Sequence, residues 1–88
     1  MLNVNIGDVV MSTKGRDLNN LYIVYGIKKD YAFLVDGRGK TILNPKKKKF
    51  KHFTLTGQNV EALKEKFLAN EKVLDSEIRK TISNLNII

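Results

Sequence analysis

The sequence predicts a mainly β domain: a small, strongly bent five-stranded barrel followed by a helical segment. All six glycines and the single proline lie within residues 1–57, where they separate short runs of β-branched and aromatic residues. Residues 58–88 contain neither, and their apolar residues recur at helical spacing. Because 88 residues suffice for one modest core, we divide the chain into a barrel at residues 1–57 and a helical extension at residues 58–88.

The strands are predicted from the apolar runs that lie between turn signals. A polar loop covers Thr13–Asn20, a tight turn Lys29-Asp30, and a strong hairpin signal Asp36–Gly39, because Asp-Gly suits turns with positive φ. Gly57 is expected to end the strand region. In chain order, the strands are expected at Asp8–Ser12, Leu21–Ile27, Tyr31–Val35, Lys40–Leu43 and, after a break at Asn44-Pro45, in an extended segment through the lysines to Leu55.

The C-terminal segment carries one apolar helical face. Its members are Val60, Leu63, Phe67, Leu74, Ile78, Ile82 and Leu85. Two versions remain open: one long helix, or two helices separated around Asn70–Val73. Thr56 or Asn59 is a candidate cap for the start of the helical region, and Asp75 is one for a second helix. We expect the apolar face to pack on the barrel; the alternative is that it docks a partner.

The positive charge is concentrated in the first part of the chain. The net charge is +7; residues 1–57 contain eleven bases and four carboxylates, whereas residues 58–88 contain five of each. Between Asp36 and Glu61 there is no carboxylate. Such a field attracts a polyanion and repels other copies of the chain, which favours a monomer. A membrane partner is not favoured, because the basic run lacks an apolar helical face and no apolar run is long enough to cross a bilayer.

The lysine run is expected to form an edge strand or an arm, because four consecutive lysines are not all buried in a core. In an extended chain, Lys46 and Lys48 share one face while Lys47 and Lys49 share the other. Lysines about 6.6–7 Å apart on one face reach successive phosphates, and lysine also protects a sheet edge from aggregation. Phe50 is expected to anchor this strand in the core rather than stack on a base. Replacing Lys46–Lys49 with glutamine is expected to weaken binding to a polyanionic partner and leave thermal stability nearly unchanged.

Two segments resemble a known family. Gly7–Val10 followed by Lys14–Val24 (Lys-Gly-Arg-Asp-Leu-Asn-Asn-Leu-Tyr-Ile-Val) resembles a KOW motif, in which a basic loop containing glycine joins two strands. Asn44–Phe53, with its proline, four lysines and Lys-His pair, resembles the end of bacterial KOW-domain RNA-binding proteins, which are similar to the e-type large-subunit ribosomal protein fourteen of archaea and eukaryotes. The resemblance covers about residues 5–56. It implies an SH3-like barrel that binds structured RNA, usually ribosomal RNA.

The resemblance also indicates site residues. The family's loop glycine falls at Asn19, and because asparagine tolerates left-handed backbone better than other non-glycine residues, we expect the turn to survive. Gly15 with Arg16 and Lys51 with His52 match the family's Gly-Arg and Lys-His pairs. Together with the charge pattern, this predicts an RNA-binding surface that comprises Lys14, Gly15, Arg16, Arg38, Lys40, Lys46, Lys47, Lys48, Lys49, Lys51 and His52.

Catalysis is not expected. His52 is the single histidine, there is no cysteine, and no nucleophile motif, metal-ligand spacing or phosphate loop occurs. We therefore expect neither catalytic residues nor a metal or other cofactor. The absence of cysteine and of a signal peptide favours the cytoplasm. The sequence thus predicts an RNA-binding protein of the ribosome or associated with it. Its rivals are an SH3-like module that docks a protein through the barrel or the helix, and a DNA-binding protein.

Overall fold

The computed structural model describes residues 3–85 as a mainly β domain with two α-helices. The strands are β1 (Asp8–Ser12), β2 (Leu21–Lys28), β3 (Tyr31–Val35), β4 (Lys46–Lys49) and β5 (Phe53–Asn59). A 3-10 helix at Phe50–His52 joins β4 directly to β5, and the helices are α1 (Glu61–Leu68) and α2 (Asp75–Ser83). None of the helices in the described range is long and apolar enough to cross a membrane.

The five strands form one antiparallel sheet in the order β4-β3-β2-β1-β5. The lysine strand β4 therefore lies at an edge, as the sequence predicted, and β5 forms the other edge. Edge strands tolerate charged side chains because one side of their backbone is not covered by another strand. The sheet thus presents its most basic segment along its border.

The predicted fourth strand at Lys40–Leu43 is wrong. The Asp36 Oδ1 atom accepts hydrogen bonds from the backbone N–H groups of Arg38 and Lys40, at 2.9 and 3.0 Å, which closes a tight turn. A second tight turn follows at once, because the backbone groups of Thr41 and Asn44 bond each other. Two consecutive turns leave no extended segment, and the lysine segment takes the fourth place in the sheet.

Gly37 in the first of these turns lies against α2, and this contact gives a testable prediction. Its φ is +76°, and an added Cβ would lie 2.9 Å from the Arg79 backbone N and closer still to the Asp75 carbonyl oxygen. Gly39 in the same turn has no heavy atom within 4 Å of an added Cβ. We expect Gly37→Ala to lower the free energy of unfolding by about 2 kcal/mol and Gly39→Ala by less than about 0.5 kcal/mol. Equal losses in urea denaturation would contradict this packing.

Both faces of the sheet are buried, each in its own cluster. Neighbouring residues alternate between the faces, so Val9 belongs to one cluster and Val10 to the other, each with no exposed surface. The helix-side cluster joins the sheet to both helical elements and comprises Val9, Ile23, Val35, Leu63, Val73 and Ile78. The strand cluster comprises Val10, Tyr22, Val24, Ala32, Leu34 and Phe53. Residues of β1, β2, β3 and β5 all contribute to the strand cluster.

The C-terminal segment forms two helices, and its apolar face packs on the sheet as predicted except at Leu74, which precedes α2 and is 56% exposed. The caps were predicted wrongly: the helices are preceded by Val60 and Leu74, and no side chain caps either one. Asn59 instead belongs to β5, which continues past Gly57, and its Nδ2 atom donates to the Asp8 Oδ1 atom at 2.9 Å. Thr56 also points elsewhere, since its hydroxyl donates to a backbone carbonyl of β1. Asp75 is the first residue of α2, where its charge suits the positive end of the helix dipole.

Candidate nucleic-acid interface

The lysines of β4 alternate between the two faces of the sheet. Lys46 and Lys48 pair in register with Leu34 and Ala32 of β3, on the face of the strand cluster. The other two, Lys47 and Lys49, pair with Phe33 and Tyr31 on the opposite face. This alternation confirms the predicted division of the lysine run, and it gives the two pairs different surroundings.

Lys48 is buried and is neutralised by a carboxylate from a distant part of the chain. Only 8% of the Lys48 surface is exposed. The Lys48 Nζ atom donates to the Asp17 Oδ1 atom at 3.0 Å and to the Lys14 carbonyl oxygen at 2.9 Å. The ammonium therefore holds the loop between β1 and β2 against β4, and its charge is already partnered in the folded chain.

Asp17 is the centre of this arrangement. Its carboxylate also accepts hydrogen bonds from the Ser12 hydroxyl at 2.9 Å and the Tyr22 hydroxyl at 3.1 Å, and the Lys46 Nζ atom lies 3.5 Å from it. We call Ser12, Asp17, Tyr22 and Lys48 the Asp17 cluster. Asp17 was not among the site residues predicted from the sequence. Its position, just after Lys14 and Arg16 and just before the apolar β2, was a signal for its role.

The Asp17 cluster shifts the ionisation of its members. Burial by itself raises the pKa of Asp17, but hydrogen bonds from Lys48, Ser12 and Tyr22 and the charge of Lys48 outweigh it and hold the pKa well below its usual range. Burial, together with the neighbouring carboxylate, raises the pKa of Tyr22 to about 12. Asp17 is therefore ionised and Tyr22 neutral at every physiological pH, so the cluster is a fixed structural element.

The loop between β1 and β2 has the backbone that the sequence predicted. Asn19, at the position of the family's glycine, has φ +72°, and Gly15 has φ +96°. The Asn19 N–H group donates to the Ser12 carbonyl oxygen at 2.8 Å, which fixes the return of the chain to β2. Lys14, Gly15 and Arg16 are exposed on the outside of this loop.

Tyr31 carries the second pair of lysines. The Lys47 Nζ atom lies 4.3 Å from the centre of the Tyr31 ring, and that of Lys49 lies 5.8 Å from it. Both distances fit a cation–π contact, which leaves the ammonium groups free to accept an anion. Lys47 is exposed and Lys49 half-buried. Within residues 3–85, neither forms an ion pair with a carboxylate.

The basic segments converge near His52. The Thr13 N–H group donates to the His52 carbonyl oxygen at 2.9 Å, which brings the loop carrying Lys14 beside the 3-10 helix. Partial burial, followed by the charges of Lys14, Lys51, Lys48 and Lys49, lowers the pKa of His52. That these four lysines all act on one imidazole shows that the loop, β4 and the 3-10 helix share one positive region.

Arg38 and Lys40 lie in a different setting from this region. They belong to the turn after β3, and Arg38 lines a recess with Arg79 and Ile82 of α2. The Arg79 Nη1 atom donates to the Gly37 carbonyl oxygen at 2.6 Å, which ties the turn to the helix. Arg38 therefore lies beside α2, and Lys40 ends the same turn, whereas the remaining predicted site residues lie on β4, the 3-10 helix and the loop between β1 and β2.

Phe50 is half-buried and packs against the strand cluster. Its ring meets the Phe53 ring edge to face, with centroids 5.8 Å apart at 74°. Its N–H group donates to the Asp30 carbonyl oxygen at 3.0 Å. The ring thus fastens the end of β4 to the core, as the sequence predicted.

A separate apolar groove lies on the helical side of the molecule. It has a volume of about 440 Å³ and is lined mainly by the segment between the helices, together with Tyr25 of β2, Phe67 of α1 and the turn at residues 41–44. Two exposed leucines border it: Leu43 is 98% exposed and Leu74 56% exposed. The bordering charges are of both signs, with Glu71 and Asp75 beside Lys72.

Comparisons with known proteins do not assign a function to these surfaces. Neither the models of protein families nor the curated protein sequences give a match to this chain. In the part of the chain that the structure describes, no group of three or more carboxylate or histidine side chains is placed to hold a metal ion. The surface around Lys14, Arg16, Lys47, Lys49, Lys51 and His52 is therefore the candidate site, and we call it the basic surface.

Proposed function

We propose that the protein binds structured RNA in the cytoplasm, without catalysis, and that its target is ribosomal RNA. The basic surface supplies cationic side chains from three segments, and their spacing along β4 suits successive phosphates. Structured RNA is favoured over single strands because the basic side chains outnumber the aromatic rings that are available for stacking. Phe50 and Phe53 pack in the core.

The observation that carries the proposal is the unequal use of charge around β4. Asp17 pairs with Lys48 and lies 3.5 Å from the Lys46 Nζ atom, whereas within residues 3–85 the lysines and the arginine of the basic surface form no ion pair with a carboxylate. Holding like charges together without a counterion is unfavourable, and a polyanion relieves this repulsion. A surface that only kept the protein soluble would not require the buried pair of Lys48 and Asp17, which fixes the loop between β1 and β2 to β4.

The connectivity supports the proposal that the sheet is an SH3-like barrel. The edge strands β4 and β5 are joined by a single 3-10 helix of three residues, so they leave from one corner. β5 returns to pair with β1, and the residues of both edges face the strand cluster. A sheet bent in this way brings its two edges toward closure around a core.

Fluorescence anisotropy with a folded ribosomal RNA fragment tests the proposed function. If about five phosphates are neutralised, the logarithm of the binding constant should fall with the logarithm of the salt concentration, with a slope of about −4. Duplex DNA of equal length at the same salt serves as the comparison, and tighter binding to RNA is expected. Crosslinking in cells followed by sequencing of the attached RNA then tests the target. Absence of RNA binding at low salt, or no enrichment of ribosomal RNA, would contradict the proposal.

The apolar groove favours a second candidate function, which is docking of a protein partner. Leu43 is almost fully exposed beside a groove lined by Tyr25 and Phe67, and residues 58–88 carry no net charge. An apolar peptide segment suits such a site better than a polyanion does. Binding there should change little with salt, whereas RNA binding should weaken steeply, so a salt series separates the two functions.

A further inference from the structure

We propose that His52, together with Lys14, Lys49 and Lys51, forms a phosphate subsite that takes up one proton when RNA occupies it. The inference rests on the proposed RNA binding and adds the role of one residue to it. The ligand class is a phosphodiester of the RNA backbone. The protonated imidazole then donates a hydrogen bond to a phosphate oxygen that the lysines already attract.

The geometry places the subsite where three segments meet. The hydrogen bond from the Thr13 N–H group to the His52 carbonyl oxygen fixes the 3-10 helix beside the loop, at 2.9 Å. The Lys48 Nζ atom binds the Lys14 carbonyl oxygen at 2.9 Å, which fixes the same loop to β4. The imidazole is half-exposed, so a phosphate of a bound RNA is able to reach it. These two hydrogen bonds keep the cationic side chains together in the free protein.

The charges around the imidazole act in one direction. Lys14 faces it from the loop, Lys51 from the 3-10 helix, and Lys48 and Lys49 from β4. The carboxylate of the same region, Asp17, is engaged by Lys48. A neutral imidazole is therefore favoured in the free protein, because partial burial disfavours its charged form and a further positive charge would add to those of the surrounding lysines.

A bound phosphate reverses this balance. Its negative charge offsets the lysines and accepts a hydrogen bond from the imidazolium, so the pKa of His52 rises in the complex. A group whose pKa rises on binding takes up a proton, and the affinity then increases as the pH falls between the two pKa values. A rise of about one pKa unit corresponds to about a tenfold gain in affinity on the acid side. Because the pKa of His52 in the free protein is lower than its ordinary value, this gain should develop between pH 8 and pH 5.

The chain contains only one histidine, so the effect is assignable. Binding of the full chain to a folded ribosomal RNA fragment is measured by anisotropy from pH 8 to pH 5 at constant ionic strength. The wild type should gain about tenfold in affinity, and His52→Gln, which keeps a hydrogen-bond donor but does not titrate in this range, should be nearly flat. In parallel, the imidazole resonances are titrated by NMR with and without RNA, and the His52 pKa should be higher in the complex.

Each outcome has one meaning. An equal pH dependence in the wild type and His52→Gln, or an imidazole pKa that RNA leaves unchanged, would overturn the subsite while RNA binding itself stands. Failure of the wild type to bind RNA at any pH would overturn the proposed function and the subsite together. Thermal denaturation of both proteins at pH 8 checks that the substitution leaves the fold intact.

Discussion

Replacing Lys47, Lys49 and Lys51 together with glutamine is expected to weaken binding to folded RNA by at least about tenfold at moderate salt. These side chains extend from β4 and the 3-10 helix and form no ion pair with a carboxylate within residues 3–85. Each phosphate contact that is lost should also make the salt dependence shallower by about 0.8, so the slope should change by about 2.4 units. A salt series with both proteins measures the affinity and the slope at once.

A matched control removes the same amount of charge from the helical part. Lys64, Lys72 and Lys80 belong to α1, the segment between the helices and α2, and their replacement by glutamine gives the same net charge as the first variant. We expect this control to retain most of the affinity and nearly the wild-type slope. If both variants lose affinity equally, the overall charge of the protein governs binding and the basic surface has no special part in it.

Lys48→Met is expected to lower the free energy of unfolding by about 3 kcal/mol, because it leaves the Asp17 carboxylate buried without its cation. The two side chains are 9% and 10% exposed, so water replaces the lost partner only in part. For a domain of this size the melting temperature should fall by about 12–24 °C. Lys47→Met makes the same change one residue earlier, at an exposed position, and should alter the free energy of unfolding by less than about 0.5 kcal/mol.

The effect of Lys48→Met should depend on pH. The pKa of Asp17 is lower in the folded protein than its unfolded value of about 3.9, so the ionised carboxylate stabilises the fold above about pH 4, and this contribution is lost as the pH falls. The stability difference between the wild type and Lys48→Met should therefore be largest near neutral pH and shrink in acid. In an Asp17→Asn background, Lys48→Met should be much less harmful. A difference that is constant from pH 7 to pH 3 would mean that the ion pair does not stabilise the fold.

Much of the fold was predictable because it depends on local signals. The alternation of apolar residues located β1 to β3, and four adjacent lysines are compatible only with an edge or an arm. The strand at Lys40–Leu43 was predicted wrongly because the Asp36 side chain makes a turn with backbone groups that pattern alone does not reveal. The helix caps failed for a similar reason, since Asn59 and Thr56 bond β1 and the segment before it instead.

The basic residues of the candidate site were predictable from the sequence. Which of them are paired within the fold, and which are left to bind a partner, was not predictable. The sequence assigns Lys46 and Lys48 to one face, but the partner of Lys48 is Asp17, 31 residues earlier in the chain. Such a long-range pair gives no periodic pattern in the sequence. Because Lys48 is buried against Asp17, we now expect the replacement of Lys46–Lys49 to lower stability as well. Arg38 and Lys40 were placed with the other bases by proximity in sequence, whereas the turns that follow β3 bring Arg38 to α2.

The helix-side cluster has a consequence for how the molecule holds together. Val9, Ile23 and Val35 of the sheet share it with Leu63 and Ile78 of the helices, all essentially without exposed surface. The chain divides by charge near residue 57, but its packing crosses that boundary. Sheet and helices should therefore melt as one cooperative unit. Packing against the electrically neutral helical segment keeps the cationic part of the chain rigid.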